Sequence, residues 1–376
     1  MIQAKTFYIA LGSNKGDKFK NLQDAIDLIY IRIGSVTQIS KVYKSPAFGF
    51  ESDDFFNACL VLESYLDPEI LLQELLVIET VLGRVRTDKS SYESRSIDLD
   101  IVFVEDAIIN TESLQIPHPE MQKRKFVLLP LNDVAAKVKH VKLNKEVAVL
   151  LQECEDDSLV EPINIWLKNP NKTFDFSKLG YVAIEGNIGA GKTSLANKIA
   201  HDFNARLILE RFADNPFLPK FYQDAARYAF PLEMSFLAER YQQISDDLSQ
   251  LDLFKDFIVS DYDVFKSLIF SKVTLQEDEF KLYRKLFYLM YKELRKPDLY
   301  VYLYQNTERL QANIKKRGRD YEQSIDNDYL EKINTGYLDF LKTQNEFNVK
   351  IIDISDRDFI ENRNDYLWIL GEICGE

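Results

Sequence analysis

Gly186-Asn187-Ile188-Gly189-Ala190-Gly191-Lys192-Thr193 places two glycines, a lysine and a threonine in the pattern G-x-x-x-x-G-K-[ST]. Glycines at these positions let a backbone turn its N–H groups inward around phosphate oxygens. The lysine adds a point charge, and the threonine hydroxyl suits a magnesium ion. Tyr181 to Glu185 ahead of the loop reads as a buried strand, and from Thr193 and Ser194 onward the pattern is helical. That helix would aim its positive end at the same anion. Gly186 to Ser194 therefore reads as the cradle of a nucleoside triphosphate, with ATP the expected ligand, and the C-terminal half as a phosphotransferase.

Two further clusters suit the same chemistry. Phe257-Ile258-Val259-Ser260-Asp261 is an apolar strand ending in a carboxylate, a place from which Asp261 could organise a metal beside phosphates. Lys315-Lys316-Arg317-Gly318-Arg319-Asp320 gathers cations around a glycine, as a lid that clamps a transferred phosphate would. Elsewhere, Ser94-Arg95-Ser96-Ile97-Asp98-Leu99-Asp100-Ile101-Val102 sets two carboxylates two residues apart on a strand. Period two puts both on one face, with Ile97, Leu99 and Ile101 on the other. Like charges that close repel unless a cation joins them, and Mg²⁺ is the expected one.

Positioning these groups takes two domains, the natural expectation for 376 residues. Residues 1–160 run strand, helix, strand, strand, helix, strand. Thr6 to Leu11 is the first strand, and Phe19 to Ile33 carries Leu22, Ile26, Ile29 and Ile33 at helical spacing. Val36 to Tyr43 and Phe55 to Leu62 alternate. Asp67-Pro68-Glu69 opens a helix with a capping residue, and Ile97 to Val104 is the fourth strand. This order predicts an α+β ferredoxin-like fold with two helices on one face of an antiparallel sheet. Between 161 and 178 the periodicity fades amid Pro162, Asn169, Pro170 and Ser177, which predicts a linker. From 179 to 376 helices alternate with short apolar strands, predicting an α/β domain on a parallel sheet.

Bulk properties narrow the partners. Net charge is -13 and pI about 5.0, which argues against nucleic acid or an anionic membrane and leaves small-molecule substrates. Cys59, Cys154 and Cys374 share no metal-ligand spacing, as a reducing cytoplasm permits. Neither a leader nor a membrane-length apolar run is apparent, so the expected location is cytoplasmic.

Beyond the phosphate loop, Asp214-Asn215-Pro216-Phe217-Leu218-Pro219, Phe230-Pro231-Leu232-Glu233 and Arg317-Gly318-Arg319 make residues 178–376 resemble bacterial deoxynucleoside kinases of the deoxyguanosine/deoxyadenosine type. The resemblance implies γ-phosphoryl transfer from ATP to a deoxynucleoside 5′-hydroxyl, with Glu210 as general base. By the same likeness Tyr222 and Glu322 hold the 3′-hydroxyl, Phe270 stacks on the base, Arg240 contacts it, and Arg317 and Arg319 form the lid. It also implies a homodimer through this domain. Glu233, Leu237 and Arg240 share one helix face by spacing. Many relatives carry glutamine where this chain has Glu233. An ionised carboxylate only accepts hydrogen bonds, and guanine offers two adjacent donors, so deoxyguanosine is the expected substrate. The Glu-Arg-Ser motif of many relatives reads here as Ser260-Asp261-Tyr262.

In the N-terminal half the matching pieces are Leu11-Gly12-Ser13-Asn14, Ser45-Pro46, Phe55-Phe56-Asn57-Ala58, Gly83-Arg84-Val85-Arg86, Arg95-Ser96-Ile97-Asp98-Leu99-Asp100, Pro117-His118-Pro119 and Arg124-Lys125-Phe126. Together they resemble 6-hydroxymethyl-7,8-dihydropterin pyrophosphokinase, a folate-pathway enzyme that moves the β,γ-pyrophosphoryl group of ATP with two Mg²⁺. The resemblance makes Asp98 and Asp100 the metal ligands. Ser45, Pro46, Phe48 and Asn57 would line the pterin site, and Phe126 would stack on the ring. Glu79, Arg84, Arg95, His118 and Arg124 would meet ATP, with Arg84 and Arg95 catalytic. Where that family has Trp-Gly-Pro, this chain reads Tyr92-Glu93-Ser94. The leading reading is a bifunctional enzyme. The competing one makes the N-terminal half a non-catalytic pterin or ATP sensor that regulates the kinase, and release of AMP separates the two.

Overall fold

The computed structural model describes residues 4–47, 52–84, 94–211, 215–249, 254–343 and 348–375. It divides into two compact units, Met1–Thr173 and Phe174–Glu376.

The first unit is built on an antiparallel sheet. Its strands are β1 (Lys5–Ser13), β2 (Ser35–Ile39), β3 (Tyr43–Ser45), β4 (Phe55–Ser64) and β5 (Asp98–Val104). β4 and β5 flank β1, and β2 and β3 share the far side of β4, so the extended run expected over Val36 to Tyr43 is two strands. Helix α1 (Lys18–Arg32) buries Leu22, Ile26 and Ile29, and Asp17 caps it by accepting from the Lys20 N–H at 3.0 Å. Helix α2 (Pro68–Val81) buries Leu71, Leu75 and Ile78. Asp67 precedes it but makes no side-chain cap, because its carboxylate turns to the Lys5 ammonium at 2.8 Å.

Against this sheet pack two helices that the sequence pattern does not mark, α3 (Lys125–Ala135) and α4 (Val147–Gln152). Leu128, Leu131, Val147 and Leu150 bury there with Cys59, Val102 and Phe103. Each such side chain contributes about 1.5–3 kcal/mol. Asp98 and Asp100 lie nearer the start of β5, where they share a cavity with Phe126 and Val127 of α3.

The expected linker does not behave as one. Its first part adds a strand, β6 (Glu161–Pro162), to β3, and the Ile163 N–H donates to the Val42 carbonyl at 2.9 Å. Further on, the Lys168 N–H donates to Gln23 Oε1 and Asn169 to the Val36 carbonyl. The division between units falls at Thr173.

The second unit is an α/β layer on five parallel strands: β7 (Tyr181–Gly186), β8 (Arg206–Ile208), β9 (Ile258–Ser260), β10 (Leu299–Tyr304) and β11 (Asn348–Asp353). Their order is β8-β9-β7-β10-β11. All six residues of β7 are buried, as a central parallel strand demands. β11 is an edge strand and leaves Ile351 exposed. Helices α5 (Lys192–Asp202), α6 (Leu218–Gln223), α7 (Ala225–Ser249), α8 (Phe265–Thr274), α9 (Glu277–Tyr291), α10 (Thr307–Arg317), α11 (Asn327–Lys342) and α12 (Arg363–Cys374) complete it. The carboxyl ends of β7, β8 and β9 meet beside the start of α5. No described helix is long and apolar enough to cross a membrane.

Candidate active sites

In the second unit the loop leaving β7 must turn sharply to start α5. Gly189 and Gly191 do this with φ of +83° and +85°, where an L side chain is strained, and a Cβ at Gly191 would lie 2.9 Å from the Phe359 ring. Asn187 pins the loop from behind, donating to Asn334 Oδ1 at 2.8 Å and to the Leu330 carbonyl at 2.7 Å. Lys192 folds back so that its ammonium meets the Gly186 and Asn187 carbonyls at 3.0 Å each. Ile188, Gly189, Lys192 and Thr193 face a cavity, whereas Asn187 and Ala190 are buried in support.

Asp261 ties three elements together. Its Oδ2 accepts from the Thr193 hydroxyl at the head of α5, and its Oδ1 accepts from the Glu210 N–H at 2.7 Å, just past β8. Glu210 in turn takes Arg240 Nε from α7 on one oxygen (2.8 Å) and the Lys266 ammonium from α8 on the other (2.6 Å). The same cavity is lined by Glu233, Phe270, Arg317, Arg319 and Glu322. Glu233, Leu237 and Arg240 do share a buried helix face. Glu233 Oε1 accepts from Thr274 at 2.8 Å, while its Oε2 is buried without a partner. At the end of α10, Gly318 closes the helix in the left-handed region, and Arg317 and Arg319 both pair with Glu322. Ser194 does not reach the cavity lining. The Tyr222 side chain and Asp214 lie outside the described residues.

In the first unit a cavity opens beside the start of β5. Gly12 pairs with Asn57 of β4 on one side and Asp98 of β5 on the other, and its lack of a side chain leaves room between them. Asn57 donates to Ser45 Oγ at 2.9 Å, and both are buried. Ser45, Pro46, Asn57, Arg95, Asp98, Asp100, His118, Arg124 and Phe126 all line the space. Arg95 pairs with Asp98 at 3.1 Å and leaves its Nε buried without a partner. Arg84 and Glu79 stand behind rather than in the lining. The Arg84 guanidinium bridges Glu79 and Asp98, and Glu79 also accepts the Leu99 N–H at 2.9 Å. These two residues, expected as nucleotide contacts, are joined to each other here, and Arg84 also pairs with Asp98. Phe48, Arg86, Tyr92 and Glu93 lie outside the described residues.

Residues 182–374 match the family model of deoxynucleoside kinases, and residues 8–136 that of 7,8-dihydro-6-hydroxymethylpterin-pyrophosphokinase. The chain belongs to both families. Deoxyguanosine kinase of Bacillus subtilis is 35% identical over 197 residues, spanning 51% of this chain and 95% of that one. The hydroxymethyldihydropteridine pyrophosphokinase of Synechocystis sp. is 38% identical over 148 residues, 39% of this chain and 75% of that one. Deoxyadenosine kinase of Dictyostelium discoideum is 30% identical over 182 residues, 48% of this chain and 74% of that one. The chain is a bifunctional transferase, joining a pyrophosphokinase to a deoxynucleoside kinase, and ATP is the phosphate donor of both families.

Electrostatics separate the acids of the kinase cavity. Burial alone would raise the Glu210 carboxyl, but the Lys266 and Arg240 charges overcome it and hold it well below the usual range. Burial wins at Glu233, whose carboxyl is pushed up to about 7 despite the Thr274 hydrogen bond and the charge of Arg240. Lys192 is lowered to about 8, first by burial and then by the Lys266 charge. In the pyrophosphokinase cavity burial and then the Asp98 charge push Asp100 up to about 7. His118 is lowered by burial and by Arg124.

Lys266 and Phe236 carried no signal in the sequence of the kinase unit. Each sits in a helix whose periodicity reads as core, and the fold alone brings it to the cavity.

Proposed function

We propose that the kinase unit phosphorylates the 5′-hydroxyl of a purine deoxynucleoside, deoxyguanosine above neutral pH, with Glu210 as base. The observation that carries this is the Glu233 carboxylate, 3% exposed, with one oxygen unsatisfied in the cavity that also holds Glu210 and the phosphate loop. An orphaned buried acceptor is costly unless a ligand supplies a donor. Guanine supplies two, N1–H and the 2-amino group, toward one carboxylate. Adenine offers an acceptor at N1 beside one amino donor, and so fits the protonated acid instead. The 35% identity to a deoxyguanosine kinase supports the same choice.

In the reaction the 5′-hydroxyl gives its proton to Glu210 as its oxygen bonds the γ-phosphorus. The bond from that phosphorus to the β–γ bridging oxygen breaks, and ADP leaves. Lys192 and the loop N–H groups hold the phosphates, and Arg317 and Arg319 close over them from Glu322.

The pyrophosphokinase unit is proposed to transfer the β,γ-pyrophosphoryl group of ATP to the pterin hydroxymethyl oxygen, releasing AMP. Asn57 and Phe126 would receive the pterin, and Arg95, His118 and Arg124 the phosphates. Its strand order and antiparallel pairing support the ferredoxin-like reading. Mg²⁺ fits both sites. The described residues hold no group of three or more His, Cys, Asp or Glu ligands, but each site sets oxygen ligands beside a phosphate position, two carboxylates in Asp98 with Asp100 and a carboxylate with a hydroxyl in Asp261 with Thr193, as an ion shared with nucleotide phosphates needs. Bound there, the ion neutralises phosphate charge.

Incubation with ATP, the pterin and each deoxynucleoside, followed by mass identification of products, tests both activities together. The pH dependence tests the base assignment. kcat/KM reports the free enzyme, so deoxyguanosine should follow the ionised fraction of Glu233 and deoxyadenosine the protonated fraction. With the carboxyl at about 7, the deoxyguanosine-to-deoxyadenosine ratio should climb roughly tenfold per pH unit between about pH 6 and 8. In Glu233→Gln the ratio should be flat and lower. A wild-type ratio near one at pH 8 would refute the deoxyguanosine assignment.

A further inference from the structure

We propose that Lys266 is the positioning cation of the kinase base: it fixes the Glu210 carboxylate and leaves the phosphates to Lys192 and the two lid arginines. The inference rests on Glu210 being the base, as read above.

Ser260 to Asp263, leaving β9, contains no basic residue, so Lys266 is the first cation after that strand. It occupies the first turn of α8 and is 9% exposed. Burial of an ammonium costs several kcal/mol unless it is paired. Its hydrogen-bond partner is Glu210 Oε2 at 2.6 Å, the Phe270 ring lies at 5.7 Å, and the charges of Glu185 and Lys192 also reach it. Arg240 takes Glu210 Oε1 and is itself held by Ser267 Oγ at 2.8 Å, the residue after Lys266. Consecutive residues of α8 therefore grip the carboxylate from both sides, one directly and one through the arginine.

Arg240 alone would neutralise Glu210. What a second cation on the opposite oxygen adds is direction: with one donor on each oxygen the carboxylate plane cannot swing. Each oxygen still keeps a lone pair for the substrate hydroxyl. A misplacement of 1 Å at a reacting group costs on the order of 100-fold in rate. Lys192 and the lid arginines line the same cavity and are the cations that remain for the phosphates.

A double-mutant cycle decides between this role and a direct contact of Lys266 with phosphate. Lys266→Met should lower kcat about 10- to 100-fold in the wild-type background, with KM for ATP and deoxynucleoside within about threefold. In the Glu210→Gln background the same change should cost less than about threefold, because no carboxylate is left to aim. Lys266→Arg should recover most of the wild-type kcat. Equal losses in both backgrounds, a tenfold rise in KM for ATP, or an undiminished kcat in Lys266→Met would each overturn the proposal. Should the methionine variant not fold, judged by melting and ATP binding, Lys266→Gln completes the cycle with the same criteria. Wild-type kcat in Glu210→Gln itself would remove the base reading and this inference together, whereas additive losses remove this inference alone.

Discussion

Glu210→Gln is expected to lose about 10²–10⁴-fold of the deoxynucleoside kinase kcat while binding ATP as the wild type does, since a general base makes its contribution in the chemical step. The substitution keeps the size of the side chain but turns one of its two accepting ends into a donor, so only one of the two cations keeps its hydrogen bond. It removes the charge that pairs with Arg240 and Lys266, both within 2.8 Å. Two buried cations are then left facing each other without an anion, so a loss of several kcal/mol in stability is also expected. Melting temperature and kcat must therefore be measured together. Nucleotide affinity is the control, because the phosphate loop is anchored through its own Asn187 to Leu330 and Asn334 of α11 and not by Glu210. A kcat unchanged in the folded variant would remove Glu210 from the chemistry. The low pKa of this carboxyl sets the pH behaviour. It stays ionised down to strongly acidic pH, so the acid limb of kinase kcat/KM for deoxyguanosine should belong to Glu233 near 7, and Glu233→Gln should remove that limb.

What could be read from the chain before folding was chemistry carried by near neighbours. The loop from Gly186 to Ser194 and the alternation of Asp98 and Asp100 each lie within one element and its flanks, where local geometry dictates what faces what. Glu210 and Arg240 needed a resemblance, since 30 residues separate them and only the packing of α7 against the end of β8 joins their side chains. Lys266 was invisible for a further reason. It sits between Phe265 and Ser267 in a helix buried on nearly all sides, where a lysine looks like a misplaced surface residue until its partner 56 positions earlier is known. In the first unit α3 escaped notice because Pro130 interrupts its pattern, and α4 because six residues are too few to show a period. The stretch 161–178 reads as a linker for its prolines and polar residues, yet over 161–169 its backbone pairs with β3 and donates to Gln23, and the Asn169 side chain donates to the Val36 carbonyl. Composition reports flexibility poorly when backbone hydrogen bonds are available to fix a segment.

Asp98→Asn should abolish AMP release by the pyrophosphokinase unit, a loss of about 10³-fold or more, with kinase turnover of the same preparation unchanged as an internal control. The structure makes Asp98 the hub of its site. Arg84 and Arg95 both bond it, Glu79 holds Arg84 from behind, and its charge helps keep Asp100 near 7. An asparagine preserves the shape but can accept on one side only, so one arginine is released and the paired negative charge that would hold Mg²⁺ is halved. The neighbouring acid gives a second, independent readout. Asp100 sits above its ordinary value, so it carries charge above about pH 7 and loses it as pH falls through that value. Pyrophosphokinase activity at limiting Mg²⁺ should accordingly decline below pH 7. Raising the Mg²⁺ concentration should carry that decline to lower pH, because the ion competes with the proton for the same carboxylate. A pH profile indifferent to Mg²⁺ would take the ion away from this pair. If the wild type binds the pterin and ATP yet releases no AMP at any Mg²⁺ concentration, the unit senses these ligands without turning them over. In that case the Arg84 bridge between Glu79 and Asp98 would be a resting contact with no reaction behind it.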